Sequence, residues 1–192
     1  VGRLVNEKNE ISSYFICALS NVCDVPIARE IKAKLTDLNL GSSTTITNVD
    51  GLSEFTNITK LNLVNCWNLS NVNGLTNAVN LVELNLGNCT RLTNLDGLAN
   101  LQNLIKLSLN HCKSLTDING LTNLINLTEL NLNYCNYSLT NIDGLVNLTS
   151  LKKLGINSCK SLQNLDALAA LTKLTYLEIK GCTNLTDIGG LA

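Results

Sequence analysis

A leucine lattice that recurs every 23 residues, with one cysteine at each recurrence, constrains this chain more than any other feature. The segments beginning Leu61, Leu84, Leu107, Leu130, Leu154 and Leu177 each read L-x-[LI]-x-x-C, ending on Cys66, Cys89, Cys112, Cys135, Cys159 and Cys182. An earlier copy, Leu38-Asn-Leu40-Gly-Ser-Ser43, carries serine at the cysteine position. A fixed period of about 20–29 residues marks a stacked repeat, in which no unit buries its apolar face alone and neighbours share one continuous core. Within each unit the x-L-x-L segment alternates with period two, as a half-buried strand does. The period then changes, with Leu92, Leu95, Leu98, Leu101 and Leu104 falling at every third residue, the spacing of 3₁₀-like turns. Strands that recur once per unit must stack in parallel, about 4.8 Å apart. The predicted fold is therefore an α/β solenoid, curved, with parallel strands on its concave face and short helical or 3₁₀ turns on its convex face.

Residues 1–34 form an expected N-terminal segment and helical cap. Ile11, Phe15, Leu19 and Val22 recur at helical spacing, with Ser12 and Ser13 as capping candidates, and Asp24 with Pro26 opens a second helix bearing Ile27, Ile31 and Leu35. Seven repeats occupy 35–192, the last one incomplete; the fifth holds one extra residue within Asn136-Tyr137-Ser138. Asp/Asn-Gly-Leu recurs at Asp50, Asn73, Asp96, Asn119 and Asp143, where an Asx cap and a glycine-only backbone angle are expected. A start at Val1 without methionine and a stop inside a repeat read as the limits of a fragment. The apolar edge left at Leu191 and Ala192 makes self-association there an expectation.

Composition removes several function classes. The net charge of −1 supplies no basic field for nucleic acid, and no apolar run reaches membrane-spanning length. No P-loop, G-x-S-x-G, H-E-x-x-H or paired catalytic carboxylate is present, so no catalytic residue and no cofactor is expected. His111 is the only histidine, and close-set cysteine pairs of zinc-site spacing are absent from the ladder, so no metal site is expected. The ladder cysteines are expected to point inward as small apolar groups with a weak S–H donor. Eight unpaired thiols favour a reducing, cytoplasmic setting. The N-x-S/T sequons at Asn57, Asn68, Asn88, Asn126, Asn136, Asn147 and Asn184 keep a secreted or surface-exposed setting open.

The run Leu104-Ile-Lys-Leu107-Ser-Leu109-Asn-His-Cys112-Lys-Ser-Leu115-Thr-Asp-Ile118-Asn-Gly-Leu121 resembles the leucine-rich repeats of internalins and of the related phosphatase-regulator class. The resemblance covers residues 35–192. Cysteine replaces the usual asparagine, as in the cysteine-containing repeats of F-box proteins, and each repeat is one residue longer. It implies a scaffold that binds a protein partner.

Stacking turns repeat positions into columns. The column preceding the strand leucine alternates in charge, from Asp37 through Lys60, Glu83, Lys106 and Glu129 to Lys153, ending on Tyr176; alternation favours register, since opposite charges across neighbouring strands attract. Further along lie Asn110 and Asn133, then His111 and Tyr134, which together form the first candidate partner-binding patch. A second lies on the rim past the cysteines, at Trp67 and Tyr137. The competing reading for the first patch is an exposed His and Tyr with no task, and for the second it is packing over the core. Three functions stay open: a non-catalytic protein-interaction module using the concave face, an auxiliary recognition domain of a larger enzyme or effector, and a structural or self-associating segment.

Overall fold

The computed structural model describes residues 33–191. Seven three-residue strands, β1 (Asp37–Asn39), β2 (Lys60–Asn62), β3 (Glu83–Asn85), β4 (Lys106–Ser108), β5 (Glu129–Asn131), β6 (Lys153–Gly155) and β7 (Tyr176–Glu178), form one open parallel sheet in chain order. The register is one repeat per strand, so Leu38, Leu61, Leu84, Leu107, Leu130, Leu154 and Leu177 are successive neighbours. A 3₁₀ turn answers each strand on the far side of the coil, from Asp50–Leu52 to Gly189–Leu191, as the every-third-residue leucines predict. The helical cap expected over 11–34 lies outside the described residues apart from its last two positions.

Leucines from both halves of each coil make a single core that runs the length of the stack, with Leu63, Leu86, Leu92, Leu109 and Leu132 fully buried. Phe55 is the aromatic member of that core. Burial loosens in the last coil, where Leu177, Ile179 and Leu185 are partly covered and Ile188 and Leu191 are exposed.

The ladder cysteines sit where the strand turns into the loop. Cys66, Cys89, Cys112, Cys135 and Cys159 are fully buried, and every ladder Sγ donates to a carbonyl of the preceding coil, from Cys66 to Leu40 O (3.3 Å) to Cys182 to Ile156 O (3.1 Å). Each thiol is thus both core filler and rung. A separate asparagine ladder precedes the strands: Asn57, Asn80, Asn103 and Asn126 each donate Nδ2 to the carbonyl 24 residues back, at 2.6–2.9 Å. The sequence reading, which had cysteine standing in for asparagine, missed this second ladder.

Two expectations about the Asx-Gly-Leu turn are corrected. The capping side chain lies two residues before the turn, where Asn48, Asn71, Asn94, Asp117, Asn141, Asn164 and Asp187 accept the first backbone N–H of each 3₁₀ turn through Oδ1. The glycines are required by proximity, since Gly181 is the one described glycine with positive φ. A Cβ on Gly97 would overlap Val72 O and stand 2.8 Å from Asn73 Cα, and one on Gly144 would meet Ile118 O at 2.5 Å. Adjacent coils touch backbone to backbone at these glycines, and a side chain added to one of them would hold the coils apart.

Candidate functional site

Outward-facing strand side chains form a groove along the sheet, enclosing about 740 Å³ and lined from Asp37 and Asn39 at one end to Tyr176 and Glu178 at the other. The alternating charges face each other in register as predicted. Two ion pairs close among the described residues, Lys60 to Glu83 (3.5 Å) and Lys153 to Glu129 (3.2 Å), both with exposed side chains. Such pairs contribute little, roughly 0–1 kcal/mol each, so they tune register rather than hold the stack.

The next column works locally. Asn39, Asn62, Asn85 and Asn131 each accept, through Oδ1, the backbone N–H two residues on, at 2.9–3.1 Å. At β6 the pattern breaks because Gly155 has no side chain. Asn157 N is instead held by Asn133 Oδ1 from the preceding coil (2.7 Å), and Asn133 Nδ2 reaches Glu178 Oε2 (3.1 Å) two coils ahead. Glu178 also accepts Asn157 Nδ2 (3.3 Å) and, on Oε1, the Tyr176 hydroxyl (2.5 Å). Those donors, Tyr176 first and Asn133 second, hold the Glu178 carboxyl below its ordinary value against a smaller opposing effect of burial. The same bond raises the Tyr176 phenol. No sequence signal pointed to this cluster beyond the interruption of an asparagine column by Gly155.

The predicted patch of Asn110, His111, Asn133 and Tyr134 is divided by the structure. Asn133 lines the groove. Asn110 accepts Ser108 Oγ at 2.8 Å. His111 and Tyr134 belong to the strand-exit corner, where Ser42, Asn65, Asn88, His111, Tyr134 and Ser158 all take φ between 56° and 64°. In that conformation each N–H donates to a carbonyl of the next coil, His111 to Asn133 O (2.8 Å) and Tyr134 to Asn157 O (2.7 Å). The sequence reading treated this column as part of the strand surface; the left-handed backbone turns it onto the rim. Asparagine tolerates such a backbone, whereas a tyrosine in it is strained. The His111 and Tyr134 rings stack with centroids 4.5 Å apart and planes 7° from parallel.

On the second candidate patch, Trp67 is 52% and Tyr137 71% exposed, so neither is spent on the core. Lys160 Nζ lies 3.2 Å from the Tyr137 hydroxyl and 5.2 Å from its ring centroid. The inserted residue leaves Asn136 Oδ1 buried without a hydrogen-bond partner, while Ser138 Oγ donates to Lys113 O and Leu115 O across the opened loop.

Chemistry is sparse elsewhere. Burial pushes the Cys89 and Cys159 thiols up to about 12, with the neighbouring ladder thiol adding to it; Cys66, Cys112, Cys135 and Cys182 shift the same way. Thiols held protonated in this way are poor nucleophiles and metal ligands. Among the described residues no group of three His, Cys, Asp or Glu side chains is placed to hold a metal ion, and no helix is long and apolar enough to cross a membrane. Four sequon asparagines are engaged: Asn57, Asn68 and Asn126 bond backbone carbonyls of the preceding coil, and Asn88 bonds Asn65.

No protein-family model matches the chain, and no curated protein matches it in sequence. Solved structures do match its fold. An internalin C2 from Listeria monocytogenes superposes with a TM-score of 0.70 at 24% identity, over 92% of this chain and 80% of that one. An internalin, inlF, from the same organism superposes with a TM-score of 0.64 at 22% identity over 93% of this chain, which spans 58% of its length. At such identities the likeness is one of fold, and the fold is the leucine-rich-repeat solenoid.

Proposed function

We propose that this chain is a non-catalytic protein-interaction module that holds its partner in the groove over the sheet and along the strand-exit rim. The placement of its aromatic side chains carries the reading. Of the five described aromatics other than His111, only Phe55 is in the core, while Trp67, Tyr134, Tyr137 and Tyr176 are 43–71% exposed. A core tiled by leucine has no use for them, and tyrosine and tryptophan are the side chains that anchor protein interfaces. The strained backbone at Tyr134 points the same way, since asparagine would fill that corner at lower cost. The internalin fold likeness supports a scaffold of this kind.

The test is a pull-down from native extract with the wild-type chain and an Asn110/His111/Asn133/Tyr134 alanine variant of matched thermal stability. A partner held by the wild type and lost by the variant supports the reading. A partner held equally by both moves the contact to Trp67 and Tyr137, which a double alanine variant then checks. Capture of nothing by any form overturns it.

A further inference from the structure

Three glutamates line the groove, and the protein treats one of them differently. Glu83 and Glu129 each face a lysine within 4.0 Å. Glu178 receives two carboxamides and a phenol and has no cation that close among the described residues. Those three donors fix its position and favour its ionised form, so the carboxylate is held charged with no described cation within 4.0 Å. The lysine across from Tyr176 in the register, Lys153, is already engaged by Glu129 at 3.2 Å.

The surroundings are built for that arrangement. Gly155 opens the gap through which Asn133 reaches forward; a Cβ there would come within 2.8 Å of Asn133 Oδ1. Tyr176, half exposed, stands where the alternation would place an acid, and its hydroxyl is tethered to Glu178, so the ring is pre-positioned beside the carboxylate. An anchored aromatic face next to a carboxylate with no described cation close by suits one chemistry above others: a planar guanidinium that stacks on the ring and directs its N–H groups at the free lone pairs of the acid.

We infer that the β7 end of the groove is a subsite for an arginine side chain of the bound partner, with Tyr176 as the stacking platform and Glu178 as the counter-ion positioned by Asn133 and Asn157. This rests on the reading of the groove as a partner-binding surface, and its test touches neither the partner nor the rim residues. The ¹⁵N-labelled chain is titrated with the peptide acetyl-Gly-Arg-Gly-amide and, separately, with its citrulline counterpart, which keeps the planar shape and loses the charge. Saturable amide shifts confined to Asn133, Gly155, Asn157, Tyr176 and Glu178 are expected, with the arginine peptide about fivefold tighter. Glu178→Gln should reduce the arginine peptide to the citrulline level, and Tyr176→Leu should weaken both; each variant is used only if its spectrum stays dispersed.

Shifts spread equally over the exposed carboxylates of Asp50, Asp96 and Asp143, equal binding of the two peptides, or no saturation would overturn the subsite. Arginine binding that survives while pull-downs capture nothing would remove the partner reading and leave the subsite. A captured partner indifferent to Glu178→Gln, with no arginine titration, would do the reverse.

Discussion

Replacing Gly97 by alanine sets two physical effects against each other with opposite signs. Gly97 lies in the turn Asp96–Leu98 with an ordinary φ, so on backbone entropy alone the substitution should stabilise by about 0.4–1 kcal/mol. The added methyl, however, would overlap Val72 O and C and come within 2.8 Å of Asn73 Cα. All of these are backbone atoms of the preceding coil and cannot swing aside, so the cost belongs at the upper end of overpacking, about 3 kcal/mol. The net expectation is a loss of about 2 kcal/mol, which for a domain of this size lowers Tm by about 4–8 °C. Ala167 supplies the control, because it occupies the same turn position and its 3₁₀ turn runs over five residues, Asp166–Ala170, instead of three. Ala167→Gly should therefore lose only the propensity difference, about 0.5–1 kcal/mol. Thermal and urea unfolding followed by far-ultraviolet circular dichroism measure both. A Gly97→Ala protein as stable as wild type, or more so, would show that the coils can part without cost and would refute the close-approach account.

Leu107, central and almost fully buried, should lose about 2–5 kcal/mol on truncation to alanine, whereas Leu177, partly exposed at the edge, should lose clearly less; equal losses in urea titrations would contradict nearest-neighbour stacking. The ladder thiols ionise at higher pH in the folded chain than unfolded, so their contribution is fully present below about pH 9 and is lost as pH rises toward 12; the urea midpoint should fall between pH 8.5 and 11, and a flat profile would contradict the burial of the ladder. Native-state alkylation should reach Cys182, the partly exposed member, before the five buried ones, as mass spectrometry of timed samples would show. Tyr134→Asn should leave stability unchanged or raise it by about 1 kcal/mol by relieving the left-handed tyrosine, while weakening partner capture; a marked loss of Tm would make Tyr134 a packing residue.

What the sequence made legible follows from its period. A 23-residue recurrence multiplies a weak local signal by seven, so strand positions, register, the charge column and the inward cysteines could all be read before any coordinates. What it hid are features in which one coil acts on another through the backbone. The glycine at Gly74, Gly97, Gly120 and Gly144 looks like a conformational requirement when read along the chain, and only the stack reveals the carbonyl lying against it. His111 and Tyr134 share their column with Asn65 and Asn88, which tolerate a left-handed backbone, and a pattern-based reading cannot see φ change sign after the strand. The asparagine ladder was present in plain spacing at Asn57, Asn80, Asn103 and Asn126, and was overlooked because cysteine already filled the expected position. Where the repeat breaks its own rule, at Gly155, the break lets Asn133 and Asn157 converge on Glu178. Regular coils build the scaffold, and local rules are most often broken where a protein has another use for the residues. The departures from the lattice, Gly155 with Tyr176 in the groove and Tyr134 on the rim, are therefore where a partner's contacts should be sought first.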